Sequence, residues 1–509
     1  MDGFVRWIVI LVLATQAKAQ TLVFEANEVL TASEDAPLNY RPRVIFTGDG
    51  ASHIVWMMGD LSNRGVFVVS AAPGDTYGSA VMLSRYMDVG GAGPSLRVKG
   101  NFMVVGWEDV YLDNRGIWAA SSDDMGSTWE TAIRVDPQTE ENRTCQAAGI
   151  FPDGRLSQLW MSYNSEWLYP DIKWTVQDTM GSFTDPMDVT AGFAWEICEC
   201  CAPDQIILED GRTVLVAFRN NDDNVREIHV ARSGDGGVTF PEETRVDVSG
   251  WTLEGCPATG PGLAADGNSL LCSWMSVNAD GAHIWLGRSP DGGLNWEHMR
   301  QVDDTGGDSN PNHPRVAIRD NLAVVVWQGT GTDGMPGIFA SASVDTGRIW
   351  GEPVLVSDDS SSAVQSDPSV AISPNLEVEV AWSDSRLGPG RIYRARGQAA
   401  PLEITEDSPG LLPRSFLLKQ NYPNPFNPST TITCHVPGRD EMVSVSLEVY
   451  SLRGHLIKTL LDREDKPPGS YSVQWDGKDD QQQEVPSGIY FYRFVAGNRG
   501  ETRRMVVCK

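Results

Sequence analysis

Basic residues are scarce in this chain. Forty Lys and Arg stand against 68 Asp and Glu, a formal charge of −28 and a pI near 4.6. A surface that acidic repels phosphodiester backbones and anionic lipid headgroups, which argues against nucleic acid and charged membrane surfaces as partners. Histidine is sparse too, seven residues scattered one by one. No His-Glu-x-x-His, EF-hand spacing or phosphate-cradling Gly loop occurs, which sets aside the chemistry those motifs carry. Long apolar runs are missing: no segment reaches the roughly 20 apolar residues of a membrane helix. The longest, Trp7 to Ala14, follows Arg6 and precedes Ala17-Lys-Ala19. It reads as the core of a signal peptide over residues 1–19, so no transmembrane segment is expected after its removal. Export in turn makes disulfides permissible for the eight cysteines.

What the chain has in quantity is glycine (50) and tryptophan (17), within a 41% hydrophobic composition that suits a compact, turn-rich, all-β protein. The glycines fall in a recurring turn, Ser233-Gly-Asp235-Gly-Gly237-Val-Thr239-Phe240. Its short Ser and Asp side chains can bond the turn's own amides, and Gly237 can take a positive φ. The pattern returns around Ser122/Asp124/Gly126, Ser289/Asp291/Gly293 and, more loosely, Ser343/Asp345/Gly347. Eroded copies stand at Asp178 to Gly181 and Gly74 to Tyr77.

A second repeat runs in step with the first. Pro-x-Val or a near match opens a strand at Pro42, Pro94, Pro314 and Pro368, with weaker versions at Ala148, Pro203 and Pro261. Each leads to a second apolar strand ending in an aromatic: Trp56, Trp107, Trp160, Phe218, Trp274, Trp327 and Trp382. Seven four-stranded units, each of about 54 residues, predict a seven-bladed β-propeller over residues 20–399, with six blades as the alternative. The seventh unit lacks an outer strand. Residues 22–31 resemble the missing strand and are expected to supply it, closing the ring.

The Ser-x-Asp-x-Gly-x-Thr-aromatic turn resembles the Asp-box of sialidase-like propellers. In that family the turns join outer strands on the face opposite the active site, so the resemblance makes Asp124, Asp235, Asp291 and Asp345 structural. Residues 400–414, rich in Pro and acidic residues, read as a linker. Beyond it, Gln420-Asn-Tyr-Pro-Asn-Pro-Phe-Asn-Pro428, Trp475-Asp-Gly477 and Ser487-Gly-Ile-Tyr-Phe-Tyr492 alternate with apolar stretches, indicating a small Ig-like β-sandwich over residues 415–509. These motifs are similar to the type A C-terminal sorting domain of type IX secretion substrates. That resemblance implies type IX machinery as a partner and a place outside, or on the outer surface of, a Gram-negative cell. Cys434 and Cys508 lie in this domain; a disulfide between them is the favoured expectation, two buried thiols the other.

Chemistry is expected on the propeller face where innermost strands begin and second strands end. Arg41, Arg43, Arg219, Arg315, Asp109, Tyr163, Asp222, Asp384 and Arg386 fall there, a mixture suited to an anionic or hydroxyl-rich ligand. Three arginines could grip a carboxylate as sialidases do. The family's aromatic-Arg-Ile-Pro opening is absent, however, with Tyr40-Arg-Pro-Arg43 only a loose echo, and no Tyr/Glu nucleophile pair can be placed. Cys145, Cys198, Cys200, Cys201 and Cys256 gather on adjacent loops of the same face. Disulfide braces are the leading expectation; a thiolate site for copper or zinc at Cys198–Cys201 is the alternative. The stretch from Glu196 to Trp274, with its Cys-x-Cys-Cys run, Arg226-Glu-Ile228 and Gly255-Cys-Pro257, is also similar to a group of secreted sialidase-like proteins of no known substrate. The functional expectation is a secreted or surface propeller that binds a glycan or other extracellular ligand, with glycoside hydrolysis within the fold's reach. A non-enzymatic interaction scaffold is the competing class, and no cofactor is expected on the leading reading.

Overall fold

The computed structural model describes residues 20–31, 38–59, 65–85, 93–109, 116–137, 141–164, 166, 170–193, 196–279, 281–303, 310–401, 417–418, 421, 424, 426–436, 442–467, 469–497 and 499–508. The expected signal peptide and most of the expected linker lie outside them. The chain divides into two compact units, Met1–Leu402 and Glu403–Lys509. All regular structure among the described residues is β.

In the first unit, alternation of apolar and polar residues gives seven antiparallel sheets. Their innermost strands are Leu38–Phe46, Ser95–Lys99, Asn142–Ile150, Asp204–Ile207, Gly262–Asp266, Asn312–Arg319 and Gln365–Ile372. Each touches the next, and the last touches the first, so the sheets stand as blades around one axis. The aromatic that ends each second strand is buried in every blade, from Trp56 to Trp382. Blade seven is closed from the other end of the chain. Gln20–Phe24 pairs antiparallel with Gly397–Pro401, and Glu28–Val29 pairs with Arg394 and Tyr393. The expected closure therefore forms, and the last propeller strand, Arg391–Pro401, runs two residues into the span expected as linker.

The recurring turns behave as their residue types require. In the turn of blade four, Ser233 Oγ donates to Asp235 Oδ1 (2.7 Å) and accepts from Gly237 N (2.9 Å). Asp235 also accepts from Thr239 N and Thr239 Oγ1. The same bonds recur around Asp124 and Asp291, and in reduced form around Asp345. Gly237 has φ +86°, and a Cβ there would stand 2.2 Å from Trp174 of the preceding blade. Gly293 and Gly347 meet Leu215 and Leu271 of their preceding blades in the same way. Each turn is thus a latch onto its neighbour, at the end of the blade away from the innermost-strand openings.

In the second unit, one sheet holds Leu417–Leu418, Thr430–Val436 and Gly469–Trp475. The other holds Leu456–Lys466, Val443–Ser451, Gly488–Ala496 and Arg499–Val507. Period-two sets such as Ile432/Cys434/Val436, Val445/Leu447/Val449 and Tyr490/Tyr492/Phe494 form a single sandwich core. The favoured Cys434–Cys508 disulfide is not made. Cys434 points into that core, whereas Cys508 lies exposed past the end of the last strand.

Candidate functional site

The blade openings share one local geometry. In Leu38–Phe46, Asn142–Ile150, Asn312–Arg319 and Gln365–Ile372, the pairing slips by one residue at Arg41, Cys145, His313 and Asp367 respectively. Each of these four residues is left-handed, with φ between +50° and +57°. Non-glycine residues seldom adopt that conformation, and such bulges serve to re-aim a side chain. The displaced amides are caught from the side: Arg41 N donates to Ser383 Oγ (3.1 Å) and Asp367 N to Gln328 Oε1 (3.0 Å). Four of the seven innermost strands thus carry a bulge with a left-handed residue at this end of the blades.

The bulges aim their residues into a funnel of about 260 Å³, walled also by Arg43, Thr144, Glu199, Cys200 and Arg315. Two positions further along each strand comes a second layer. There Arg43, Ser95, Ala147, Asp204, Gly262, Arg315 and Ser369 line the axial cavity beneath. Asp204 is already engaged, ion-paired with Arg97 and accepting from Leu263 N (2.9 Å). Arg43 Nη1 and Arg315 Nη1 each donate to the carbonyl of the preceding proline, at 2.8 and 3.0 Å. Arg41 Nη1 is buried with no hydrogen-bond partner. Burial, and the nearby Arg315 charge, push the Arg43 guanidinium below its ordinary value, and Arg315 is lowered first by burial too. Both remain cations at neutral pH. Burial also depresses His313, assisted by Arg315, Arg41 and Arg43 and opposed by Asp367, so its imidazole is neutral at pH 7. The funnel is a concentrated positive wall within a strongly acidic protein.

Only part of the expected constellation meets here. Arg41, Arg43 and Arg315 converge. Arg219 does not: its guanidinium is wholly buried, donating to Thr259 O, Arg226 O (2.8 Å) and Met275 O (2.7 Å), because it fills the space between two blades. Asp384 and Arg386 form a closed cluster instead of a ligand wall. Asp384 accepts from Trp382 Nε1 (3.0 Å) and from Arg386, which also pairs with Asp358 and stacks on Tyr393. Tyr163 is buried in an inter-blade core, where its hydroxyl donates to Glu199 O. Asp109 is buried at the end of its strand, and Asp222 sits exposed in a tight turn closed by Val225. Asp367 was missed by sequence reasoning, although a signal was present. It precedes Pro368 just as Arg41 precedes Pro42 and His313 precedes Pro314.

Beside the funnel four cysteines meet. Cys200 and Cys256 are joined as a disulfide. Cys198 and Cys201, both buried, lie 3.2 Å apart, and their sulfurs are 3.7 and 3.9 Å from Cys256 Sγ. The hydrogen bond with Cys201 holds the Cys198 thiol below its ordinary value, while burial pushes Cys201 up. Cys145 stands apart as a buried thiol on the funnel wall, raised by burial to about 12.

Comparison with known proteins decides the C-terminal unit. Residues 420–508 match the secretion system C-terminal sorting domain. The chain carries a type IX sorting domain. Through it the protein is exported by the type IX route of Bacteroidetes to the cell surface or the extracellular space. No helix among the described residues is long and apolar enough to cross a membrane. No curated protein matches the chain. Among solved structures, a protein of unknown function from Dyadobacter fermentans is 14% identical, with TM-score 0.48 over 74% of this chain and 99% of that one. A Hadza microbial sialidase is 14% identical, with TM-score 0.41 over 74% of this chain and 68% of its own. PorZ, a surface component of the type IX secretion system of Porphyromonas gingivalis, is 12% identical, with TM-score 0.39 over 92% and 59%. The propeller with its recurring Ser/Asp/Gly turns stands on its own topology, described above.

Proposed function

We propose that the sorting domain delivers a propeller whose central funnel binds an anionic extracellular ligand, a carboxylated or sulfated glycan. The observation that carries this reading is the buried, unpartnered Arg41 Nη1 on a wall shared with Arg315 and Arg43. A planar guanidinium held in place by a bulged strand is suited to bidentate capture of a carboxylate or sulfate. Asp367, from the blade adjoining that of Arg41, and neutral His313, from the blade beyond it, supply an acceptor and a donor for sugar hydroxyls.

Binding is favoured over hydrolysis by the state of the carboxylates. Glycosidases need two that are available to the substrate. Glu199 accepts from Asn221 Nδ2 (3.0 Å) through one oxygen and from Arg226 Nη1 (3.4 Å) through the other; Asp367, whose Oδ2 accepts from Ser366 Oγ (3.1 Å), is the other carboxylate lining the funnel among the described residues. The test is a glycan array probed with the mature protein and with Arg41→Ala and Arg315→Ala. Sialylated, uronate-bearing or sulfated glycans should be retained over neutral ones, and each substitution should weaken binding at least about tenfold. Equal retention of neutral glycans, or variants that bind like the parent, would overturn the assignment.

A further inference from the structure

We propose that Cys198, Cys200, Cys201 and Cys256 form a thiolate site for one thiophilic ion, zinc or copper(I), which ties the opening loop of blade four to that of blade five. Geometry is the first argument. Four sulfurs held about 2.3 Å from one ion in a tetrahedron lie about 3.8 Å from each other. The separations among Cys198, Cys201 and Cys256 are 3.2, 3.7 and 3.9 Å, already those of a shared ligand sphere; Cys200, joined to Cys256 in this structure, becomes the fourth ligand once that bond is open. The Cys256 loop is shaped toward its sulfur. Ala258 takes a left-handed φ of +53°, and its amide donates to Cys256 Sγ (3.3 Å).

Charge is the second argument, and it separates an ion from a pair of disulfides. Arg219 is fully buried and hydrogen-bonded only to carbonyls; among the described residues no carboxylate pairs with it. Arg226, also buried, meets one carboxylate, that of Glu199. The positive charges of both reach the cysteine cluster. A buried guanidinium without a counter-charge is strongly unfavourable. Two disulfides are neutral and would leave Arg219 uncompensated. Four thiolates carry a net charge of −2 around zinc and −3 around copper(I), and either supplies the counter-charge that Arg219 lacks.

The two states also differ in chemistry. Loading zinc onto the four thiols releases their four protons and moves no electrons. Closing Cys200–Cys256 and Cys198–Cys201 removes four hydrogens and requires an oxidant. The metal-bearing form is therefore the one in which the ion is captured before Cys200 and Cys256 join.

The experiment is elemental analysis and denatured intact mass on the full mature chain, purified without chelator or reductant from cells supplied with zinc or with copper. About one ion per chain, with the mass of the thiol form at these four positions, is expected; the element found distinguishes zinc from copper. Cys198→Ser with Cys201→Ser should lose the ion, whereas Cys145→Ser and Cys272→Ser should keep it. An ion-free chain four hydrogens lighter would overturn the proposal in favour of braces. An ion retained with Cys200–Cys256 still closed, or retained by the double variant, would overturn the four-thiolate assignment. Should the double variant fail to fold, cobalt(II) added to the metal-depleted parent should give thiolate-to-cobalt absorption, and its absence would be decisive against the site.

Discussion

The two ends of the blades are built on opposite principles. At the end that carries the recurring turns, the Ser and Asp side chains introduced by the repeat find their partners within the same turn, and the glycine presses on the preceding blade. At the funnel end the repeat is interrupted by left-handed residues, and like charges are gathered within reach of one another. One end lowers the energy of the fold, and the other spends part of that stability holding side chains where they do not settle by themselves. Regular, internally satisfied repetition therefore reads as architecture, and its interruption as function.

The largest expected effect comes from removing what lets the ring close at all. Deleting residues 20–31 strips blade seven of its outer strands and bares the edge of Arg391–Pro401. Calorimetry should show the propeller transition lowered by about 10 °C or more, or lost to aggregation. An unchanged transition would mean that the ring holds without its terminal strand.

Next, two arginines that look alike in sequence should part company. Arg219→Ala leaves three buried carbonyls without their donor and should cost about 3–5 kcal/mol in denaturant unfolding. Arg315→Ala relieves a crowded positive wall and should change stability by no more than about 0.5 kcal/mol while removing ligand binding. Equal losses from both would erase the distinction between brace and site.

A smaller effect tests the latch. Gly237→Ala must adopt a positive φ and displace Trp174, and should cost about 2–3 kcal/mol. Gly181→Ala shares the positive φ but meets nothing within 4 Å, so about 1 kcal/mol is expected. Comparable losses would show that backbone conformation, not contact with the neighbouring blade, sets the cost.

The smallest effect is acid sensitivity, and the two ends should answer in opposite directions. Asp124 is held below the usual carboxylate range first by the Thr128 amide, and Asp291 first by the Asn295 side chain. Stability from a depressed carboxylate is complete above its unfolded value and is lost as pH falls through its folded one, so these turns loosen in acid. His313, depressed by burial, gains its proton only below the ordinary imidazole range, and anion binding should tighten there. Chemical-shift titration of the imidazole beside a binding isotherm checks both; weaker binding on His313 protonation would remove it from the funnel.

Much of the architecture was legible before any coordinates. The Ser/Asp/Gly turns and the seven buried aromatics report local bonding and periodicity, which a sequence carries directly. The match of residues 22–31 to an outer strand was legible for the same reason, and so was the sorting domain, from Asn421 to Pro428 onward. Within the site, Arg41, Arg43 and Arg315 could be found from their place beside the blade-opening prolines. Asp367 shares the place of Arg41, directly before its proline, and was overlooked because Pro368 was read only as the opening of its strand.

The sequence by itself determined that this is a ring of β-blades with a type IX sorting domain behind it, because hydrogen bonds within a turn and alternation along a strand are properties of neighbouring residues. Only the tertiary structure decided which arginines are braces and which face the funnel. It alone brought Cys256 to Cys198 and Cys201, and sent Cys434 and Cys508 to separate environments. Those outcomes depend on which blade packs on which, and on whether a charge buried there meets a carbonyl, a carboxylate or another charge. Residues more than fifty positions apart in the chain settle that together.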